Sequence, residues 1–383
     1  MSGAYFDHNA TTPLDPRVRE AMLPWLGERW GNPSSIHRFG QAAAAAVEEA
    51  REQVARLVGA IPPAVVFCGS GTEANNAVIW SAARRSGFRG HLVLSALEHP
   101  SVRAAAAAVA ELGCAVTEVP PGRDGVVDAE RLLAALRPES VLVALQLANN
   151  EVGTLQPVAA VGAACRARGV PLLCDAVQAV GKVAVDCGAL GADYLVLAGH
   201  KFHGPAGAAA LVLRGGAPFL PWLVGGAQER RRRASTTNVA AVVGLGAAAE
   251  LAQRELPERA ARLSALRDRC ERGLEEIAGV RFHAREVPRL PNTAHVAFPG
   301  LVGQELMIRL DLAGFAVSTG SACASGAVEP SPVLLSMGLA REEALASIRL
   351  SFGLPNTEDE VDALLPVLAG AVAALCGGGK GAG

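Results

Sequence analysis

Residues 64–213 alternate between short apolar segments and longer segments of helical character, and this alternation limits the fold more than any other feature. The apolar segments have the length and composition of buried strands. They are 64–68, 91–95, 115–119, 141–147, 170–174, 194–198 and 208–213. Helices are predicted over 41–58, 73–85, 100–112, 129–136 and 158–168. Such βα units predict an α/β fold with a mostly parallel seven-stranded sheet covered by helices.

The sequence pattern changes after residue 215, where the regular alternation ends. A Gly- and Arg-rich segment precedes a long helix, and shorter strand-like and helical segments follow. Their ranges are 215–237, 240–272, 280–283, 295–297, 305–312 and 347–352. This mixture predicts a smaller α+β domain. We therefore predict a large domain over 15–250, a small domain over 1–14 and 251–376, and a disordered tail over 377–383.

Composition excludes several classes of protein. Half of the residues are hydrophobic and the net charge is only −2, so the chain can bury a large core and is not a disordered polypeptide. Residues 230–233 form the one basic tract, so we expect no nucleic-acid partner. The eight cysteines include no CxxC pair, so their spacing predicts no metal site.

The sequence also predicts a protein that does not cross a membrane. Its longest uncharged run, 363–379, contains Pro366 and is shorter than the roughly 20 apolar residues of a spanning helix. We interpret it as a packed helix plus a tail. The first residues contain acidic side chains and no apolar signal segment, and the dispersed cysteines suit a reducing compartment, so we expect a cytoplasmic protein.

The residues that follow each strand are the first candidates for a site, because ligands of such sheets bind beyond the carboxyl ends of the strands. Gly71 and Thr72 follow the first strand, where a helix begins. Free N–H groups at a helix N-terminus favour an anion such as phosphate. No Walker-type Gly-Lys-Ser/Thr follows, and an ordinary Gly-rich turn is the alternative interpretation.

Three ionisable side chains, His99, Asp175 and Lys201, follow three further strands. Lysine is rare in this chain, where only Lys182 and Lys380 accompany Lys201. Capping or a solvated strand end would explain each residue alone. Together, a phosphate cradle, a flat side chain, an acid and a lysine at one sheet edge match pyridoxal phosphate (PLP). That cofactor needs a lysine amine, an acid at its pyridine nitrogen and a phosphate anchor.

Cys323 is the cysteine placed like a nucleophile. It lies in a segment of small residues, 318–326, whereas most other cysteines lie in apolar strands or helices. A thiol in a mobile loop can form a reactive thiolate, while a buried thiol usually only packs. A small residue in a flexible turn is the alternative interpretation.

Ordered motifs along nearly the whole chain carry a family resemblance. They are Asp7-His8-Asn9-Ala10-Thr11-Thr12-Pro13, Gly31-Asn32-Pro33-Ser34-Ser35 with His37-Arg38-Phe39-Gly40, Asn149-Asn150-Glu151-Val152-Gly153, Asp175-Ala176-Val177-Gln178, Gly199-His200-Lys201 and Gly320-Ser321-Ala322-Cys323. In order and spacing they resemble the cysteine desulfurases of the NifS/IscS-like group, in the class V aminotransferase superfamily. The resemblance implies a fold type I PLP enzyme that forms a homodimer.

The resemblance assigns nine residues to the cofactor. Gly71, Thr72 and His200 hold the phosphate, Thr236 reaches it from the other subunit, His99 stacks on the ring, Asn150 and Gln178 bind the ring hydroxyl, Asp175 pairs with the pyridine nitrogen, and Lys201 binds the cofactor covalently. Each of these roles is an implication of the resemblance.

The resemblance also implies a reaction. Asn32 and Arg349 would bind the substrate carboxylate, and Lys201 would remove the Cα proton of L-cysteine. His99 would assist proton transfer while the Cys323 thiolate attacks the substrate sulfur. The products are L-alanine and a persulfide on Cys323, which passes sulfur to an acceptor such as an iron–sulfur scaffold protein.

The chain departs from the family pattern at three places. Ala198 stands where the family often has Ser, which removes one hydroxyl bond to the phosphate. Residues 231–237 replace a common Gly-Met-Arg-Ser-Gly-Thr segment, and the short Gly-rich tail lacks a recognisable docking region for the scaffold. A selenocysteine lyase, an aminotransferase and a catalytically silent partner protein are the alternative functions.

Overall fold

The structure is a computed structural model that describes residues 3–319 and 329–378. Its strands are β1 Ala4–Tyr5, β2 Val65–Cys68, β3 His91–Ser95, β4 Ala115–Val119, β5 Ser140–Ala144, β6 Leu172–Asp175, β7 Tyr194–Ala198, β8 Ala209–Leu213, β9 Arg281–Phe282, β10 Thr293–Ala297, β11 Phe315–Ala316 and β12 Ser347–Ser351. Its helices are α1 Pro16–Leu26, α2 Arg38–Leu57, α3 Gly71–Arg85, α4 Pro100–Glu111, α5 Ala129–Ala134, α6 Val158–Arg168, α7 Cys187–Leu190, α8 Gln228–Arg231, α9 Val239–Glu275, α10 Gly303–Leu312, α11 Pro332–Ser336, α12 Arg341–Leu345 and α13 Glu358–Gly378. Short 3₁₀ turns occupy Pro62–Ala64 and Gly199–Lys201.

Seven strands form one sheet in the order β2-β8-β7-β6-β5-β3-β4. The pairs along β7-β6-β5-β3-β4 are parallel, whereas β8 runs antiparallel to both β2 and β7. Residues 199–208 join β7 to β8 and are too few for a crossover connection, so β8 has to return in the opposite direction. The prediction of a mostly parallel seven-stranded sheet is confirmed.

Helices cover both faces of this sheet. Val161 of α6 and Leu245 of α9 belong to the fully buried core on one face. Val78 of α3 and Val102 of α4 belong to the core on the other. Burial on both faces explains why the strands are continuous apolar segments with no alternation of polar residues.

A second, smaller sheet has its own core. Its strands pair antiparallel in the order β12-β10-β9, and β1 pairs in parallel with β11 beside it. Cys270 of α9, Leu310 of α10 and Leu364 of α13 pack with Val296 and Leu350 of these strands. The smaller α+β unit predicted after residue 215 therefore has a separate apolar core.

Helix α9 joins the two cores. Residues of its first half, up to Ala252, pack against the large sheet, and residues from Leu263 onward pack in the small unit. Pro257 lies between the halves and supplies no N–H to the helical hydrogen bonds. The domain boundary between residues 250 and 251 stays a prediction.

Helix α13 contains the long uncharged segment. It continues to Gly378, two residues into the predicted tail, and residues 379–383 lie outside the described part of the chain. By length and composition alone this helix could cross a membrane. Leu364 and Leu368 of this helix are fully buried in the core of the small unit, whereas only 22% of its most apolar stretch is buried.

We predict that two glycine substitutions have opposite effects on stability. A Cβ at Gly353 would overlap Nδ1 of the buried His8, so Gly353→Ala should lower the free energy of unfolding by roughly 1–3 kcal/mol. A Cβ at Gly370, inside α13, meets no atom within 4 Å, so Gly370→Ala should raise it by about 1 kcal/mol. Urea unfolding of both variants measures the difference, and equal stabilities would contradict the packing described for His8.

Candidate active site

The N-terminus of α3 forms one wall of the site. Ser70 caps the helix, since its hydroxyl accepts a hydrogen bond of 3.0 Å from the Glu73 amide. The amides of Gly71 and Thr72 meet no acceptor in the described part of the chain. A Cβ on Gly71 would lie 3.0 Å from Cγ2 of Val177, so glycine lets this turn approach the end of β6 closely. Two free amides at a helix N-terminus suit a phosphate group.

Asp175 ends β6, and its buried carboxylate is held at both oxygens. Oδ1 accepts a hydrogen bond of 3.0 Å from the Val177 amide. Oδ2 accepts one of 2.8 Å from the side-chain amide of Asn75, in α3. These two donors satisfy the requirement that a carboxylate at a buried strand end must be hydrogen-bonded.

His99 caps α4 at the end of the segment that follows β3. Its Nδ1 accepts a hydrogen bond of 3.1 Å from the Ser101 amide and lies 2.9 Å from the Ser101 hydroxyl. Desolvation lowers the pKa of His99, with the charge of Asp175 acting against this effect and that of Lys201 in the same direction. The imidazole is therefore neutral near pH 7, and its solvent-accessible ring is free to stack on a flat ligand.

Lys201 lies in the 3₁₀ turn directly after β7. Its Nζ donates hydrogen bonds of 2.7 Å to the backbone carbonyls of Asn9 and Ala10. Burial lowers the pKa of Lys201 to about 8, and the nearby charge of Arg349 acts in the same direction. An amine with this pKa is partly neutral at physiological pH, and the neutral amine is the nucleophilic form.

Lys182 is close to the same segment but is enclosed. Its Nζ donates to Oδ1 of Asn9 at 3.0 Å and to Oε1 of Gln178 at 2.8 Å. It forms no ion pair in the described part of the chain, and burial lowers its pKa well below the ordinary value. Of these two lysines, Lys201 is the more accessible and Lys182 is part of the protein interior.

Arg349 connects the small sheet to the site from β12. Its guanidinium donates to the Asn150 carbonyl at 2.7 Å and pairs with Oδ1 of Asp7 at 2.5 Å. The side chain is almost fully buried, and its Nε has no hydrogen-bond partner among the described residues. A buried guanidinium with an unused donor can bind a carboxylate.

Three other predicted cofactor residues surround this group. The Gln178 amide donates to the Asn9 carbonyl at 2.8 Å. Asn150 contributes its carbonyl to Arg349, and Nδ1 of His200 lies 3.2 Å from the Thr11 hydroxyl. Burial lowers the pKa of His200 to about 4, so this ring is neutral. These residues lie at the predicted edge of the sheet, while their contacts with a cofactor stay predictions.

Three predicted site residues are not part of this group. Asn32 lies in the exposed loop before α2, where its side chain accepts a hydrogen bond from the Ser34 amide. Thr236 is exposed in the segment before α9, as a residue that reaches another subunit would be. Cys323 lies outside the described residues, which stop at Thr319 and resume at Glu329.

Four residues of the site received no role from the sequence. They are Asn9, Asn75, Ser101 and Lys182. Asn9 lies in the first resemblance motif and Lys182 is one of three lysines, so both carried a signal. Asn75 and Ser101 look like ordinary helix residues, and only the contacts with Asp175 and His99 reveal them.

The arrangement fits PLP. The free amides of Gly71 and Thr72 suit its phosphate, and the accessible ring of His99 suits its flat ring. Asp175 supplies a carboxylate for a protonated ring nitrogen, and Lys201 supplies an amine of lowered pKa. Several cations meet at this edge of the sheet, which favours an anionic cofactor and an anionic substrate.

Comparison with known proteins agrees with this chemistry. Residues 4–364 match the family Aminotransferase class-V, and the chain belongs to that family. Within it, the chain is 40% identical over 366 residues to a cysteine desulfurase IscS of Dictyoglomus turgidum, covering 95% of this chain and 93% of the relative. It is 41% identical over 378 residues to a cysteine desulfurase of Gluconacetobacter diazotrophicus, covering 98% of this chain and 94% of that relative. The resemblance seen in the sequence is confirmed.

Solved structures agree as well. A NifS-like protein matches with a TM-score of 0.91 at 35% identity, over 97% of this chain and all of that one. A protein described as SspA in complex with cysteine matches with a TM-score of 0.82 at 31% identity, over 91% of this chain and 98% of that one.

We predict that chemical labelling distinguishes the two lysines. After any bound cofactor has been removed with hydroxylamine, formaldehyde and cyanoborohydride should methylate Lys201 at a rate that rises with pH through about 8, because only the neutral amine reacts. Lys182 should stay unmodified until urea unfolds the protein, because it is buried. Peptide mass spectrometry measures both sites, and equal labelling of the two in the folded protein would contradict the assignment.

Proposed function

We propose that the chain is a PLP-dependent cysteine desulfurase, which converts L-cysteine to L-alanine and collects the sulfur on Cys323. The observation that carries this proposal is the position of Lys201. Its amine of lowered pKa shares one edge of the sheet with Asp175 and His99 and lies near Arg349. The names of the relatives support the reaction, and this geometry supports the cofactor.

The cofactor's contribution is electronic, since bound PLP supplies a ring that withdraws electrons from the substrate Cα. The protein's contribution is to hold and orient it. Gly71 and Thr72 would hold its phosphate through their backbone amides, and Asp175 would pair with its ring nitrogen and favour the protonated form. The Asn75 and Val177 donors fix the direction of the Asp175 carboxylate before any ligand binds.

Arg349 and Lys201 act on the substrate. Arg349 binds the carboxylate of L-cysteine, and its contacts with Asp7 and Asn150 hold the guanidinium in place. Lys201, once neutral, accepts the proton from Cα. Its lowered pKa suits this step, because a general base works best with a pKa near the working pH.

Cys323 takes the sulfur. Its thiolate attacks the sulfur of the substrate, the carbon–sulfur bond breaks, and a persulfide forms on Cys323 while the remaining carbon chain is protonated to L-alanine. Ser318, which pairs with Arg349 through both backbone hydrogen bonds, is five positions before Cys323.

We further propose that the active unit is a homodimer. Trp30, Ile36 and Phe39 are exposed on the segment around the start of α2, a concentration of apolar side chains that favours contact with another protein surface. Thr236 is exposed as well, which is compatible with the role that the resemblance implies for it, contact with the phosphate of the other subunit. We propose that the sulfur passes to an acceptor protein such as an iron–sulfur scaffold.

We place the activity in the cytoplasm. The seven cysteines of the described part of the chain are all free thiols, and five of them are buried. Free thiols of this number suit a reducing compartment.

The proposal predicts a specific protein modification. Brief treatment of the purified protein with L-cysteine should add one sulfur atom to the peptide that contains Cys323, while L-alanine accumulates. Cys323→Ser should keep the yellow colour of the bound cofactor but lose both the added sulfur and sulfide release. Lys201→Ala should lose the alanine as well.

Two results would contradict the proposal. One is sulfide release that survives Cys323→Ser, which would favour a lyase such as a selenocysteine lyase. The other is a colourless protein that cannot be reconstituted with PLP, which would favour a silent partner protein.

The homodimer predicts a matched pair of charge substitutions. Ile36→Glu, at a position 92% exposed in the single chain, should shift the protein toward monomer, because a carboxylate would be buried at the interface. Leu312→Glu, 83% exposed at the end of α10, should leave the dimer intact. Light scattering during size-exclusion chromatography gives the masses, and an unmodified protein that is monomeric would rule the dimer out.

A further inference from the structure

The geometry points to Asn75 and Ser101 as positioning residues that hold His99 in one neutral tautomer, with its proton on Nε2. His99 then offers an N–H donor to a ligand and keeps its lone pair, on Nδ1, against the protein. This inference rests on the proposed function for its catalytic meaning. The contacts that support it lie in the protein itself.

The first contact is with the backbone. His99 precedes α4, Pro100 occupies the first helical position, and Ser101 carries the first available amide. That amide donates to Nδ1 of His99 at 3.1 Å. A backbone N–H can only donate, so Nδ1 must carry the lone pair and the proton of the neutral ring must sit on Nε2.

The second contact fixes the direction of the Ser101 hydroxyl. Asp175 Oδ2, an acceptor, lies 2.8 Å from the nitrogen of Asn75, which identifies that atom as the NH₂ group. The same NH₂ group donates to the Ser101 hydroxyl oxygen at 2.9 Å. The hydroxyl hydrogen is then available to Nδ1 of His99, 2.9 Å away. Two donors thus face Nδ1.

Burial makes this arrangement hard to reverse. Asn75 is 1% exposed and Ser101 is 8% exposed, so water cannot replace either partner. Protonation of Nδ1 would point its new hydrogen at the Ser101 amide and remove that hydrogen bond. Loss of that hydrogen bond disfavours the imidazolium form. Desolvation and the charge of Lys201 also disfavour it, while the charge of Asp175 favours it.

The arrangement changes the role expected for His99. The resemblance implied that this residue assists proton transfer. With Nδ1 blocked and Nε2 protonated, the ring instead donates a hydrogen bond from Nε2, and Lys201 is left as the group that accepts the Cα proton. Nε2 has no acceptor within the described residues, so it is free to meet an electron-rich ligand atom.

The tautomer can be observed directly by ¹⁵N NMR of the full-length protein labelled at histidine, with His99→Asn to identify the signal. We expect a protonated Nε2 and an unprotonated Nδ1 at pH 7, and a titration midpoint below that of an unperturbed histidine. A dominant Nδ1–H form, or an imidazolium at pH 7, would overturn the proposal. The readout does not depend on turnover, so it stays interpretable even if the protein proves not to release sulfur from cysteine.

Variants test whether Asn75 and Ser101 hold the ring. Ser101→Ala and Asn75→Ala should each raise the midpoint of the His99 titration and lower kcat about fivefold with little change in KM, while the Ser101 amide, which neither substitution removes, keeps the proton of the neutral ring on Nε2. Asn76→Ala is the matched control: its amide bonds to the Thr72 carbonyl, lies 3.5 Å from the Ser101 carbonyl and does not contact His99. His99 signals that are the same in Asn75→Ala and Asn76→Ala would exclude the positioning role.

Discussion

The hydrogen bonds of Asn9 are the interaction on which the site depends. Its carbonyl accepts from Lys201 and Gln178, its side-chain oxygen accepts from Lys182 and Asn292, and its amide group donates to Thr293. Because Asn9 is buried, no water competes for these bonds, and each is electrostatically stronger than it would be in solvent. One residue of the N-terminal segment therefore joins the strand ends of the large sheet to the small sheet and directs the amine of Lys201.

Concentrated positive charge is the second constraint. Burial lowers the pKa of both Lys182 and Lys201, and the charge of Arg349 lowers the pKa of both further, as does the charge of Lys201 for Lys182. Asp7 and Asp175 offset part of this at Lys201. An anionic cofactor and a substrate carboxylate would offset more of the repulsion between these positive charges. The same repulsion therefore favours the binding of anionic ligands.

The sequence predicted the frame of the site well because its signals are local. Apolar segments and helix starts depend on neighbours in the chain, so the strands and the positions of Asp175 and Lys201 after them could be recognised. Asn75 could not, because its partner Asp175 is a hundred positions further along the chain, and nothing near Asn75 marks it as different from the half-buried Asn76. For Lys182, the sequence showed that it is one of only three lysines, but it did not show that the side chain is buried.

By itself, the sequence determined the alternation of strands and helices, the edge of the sheet at which the candidate site lies, and the set of functional groups available there, since all of these follow from residue type and spacing. Only the tertiary structure decided the protonation and direction of those groups: which lysine is accessible, why its pKa is lowered, and which nitrogen of His99 carries the proton. The physical reason is that desolvation and hydrogen-bond donors set these properties, and the atoms that supply them come from α3, β12 and the N-terminal segment, far apart in the chain.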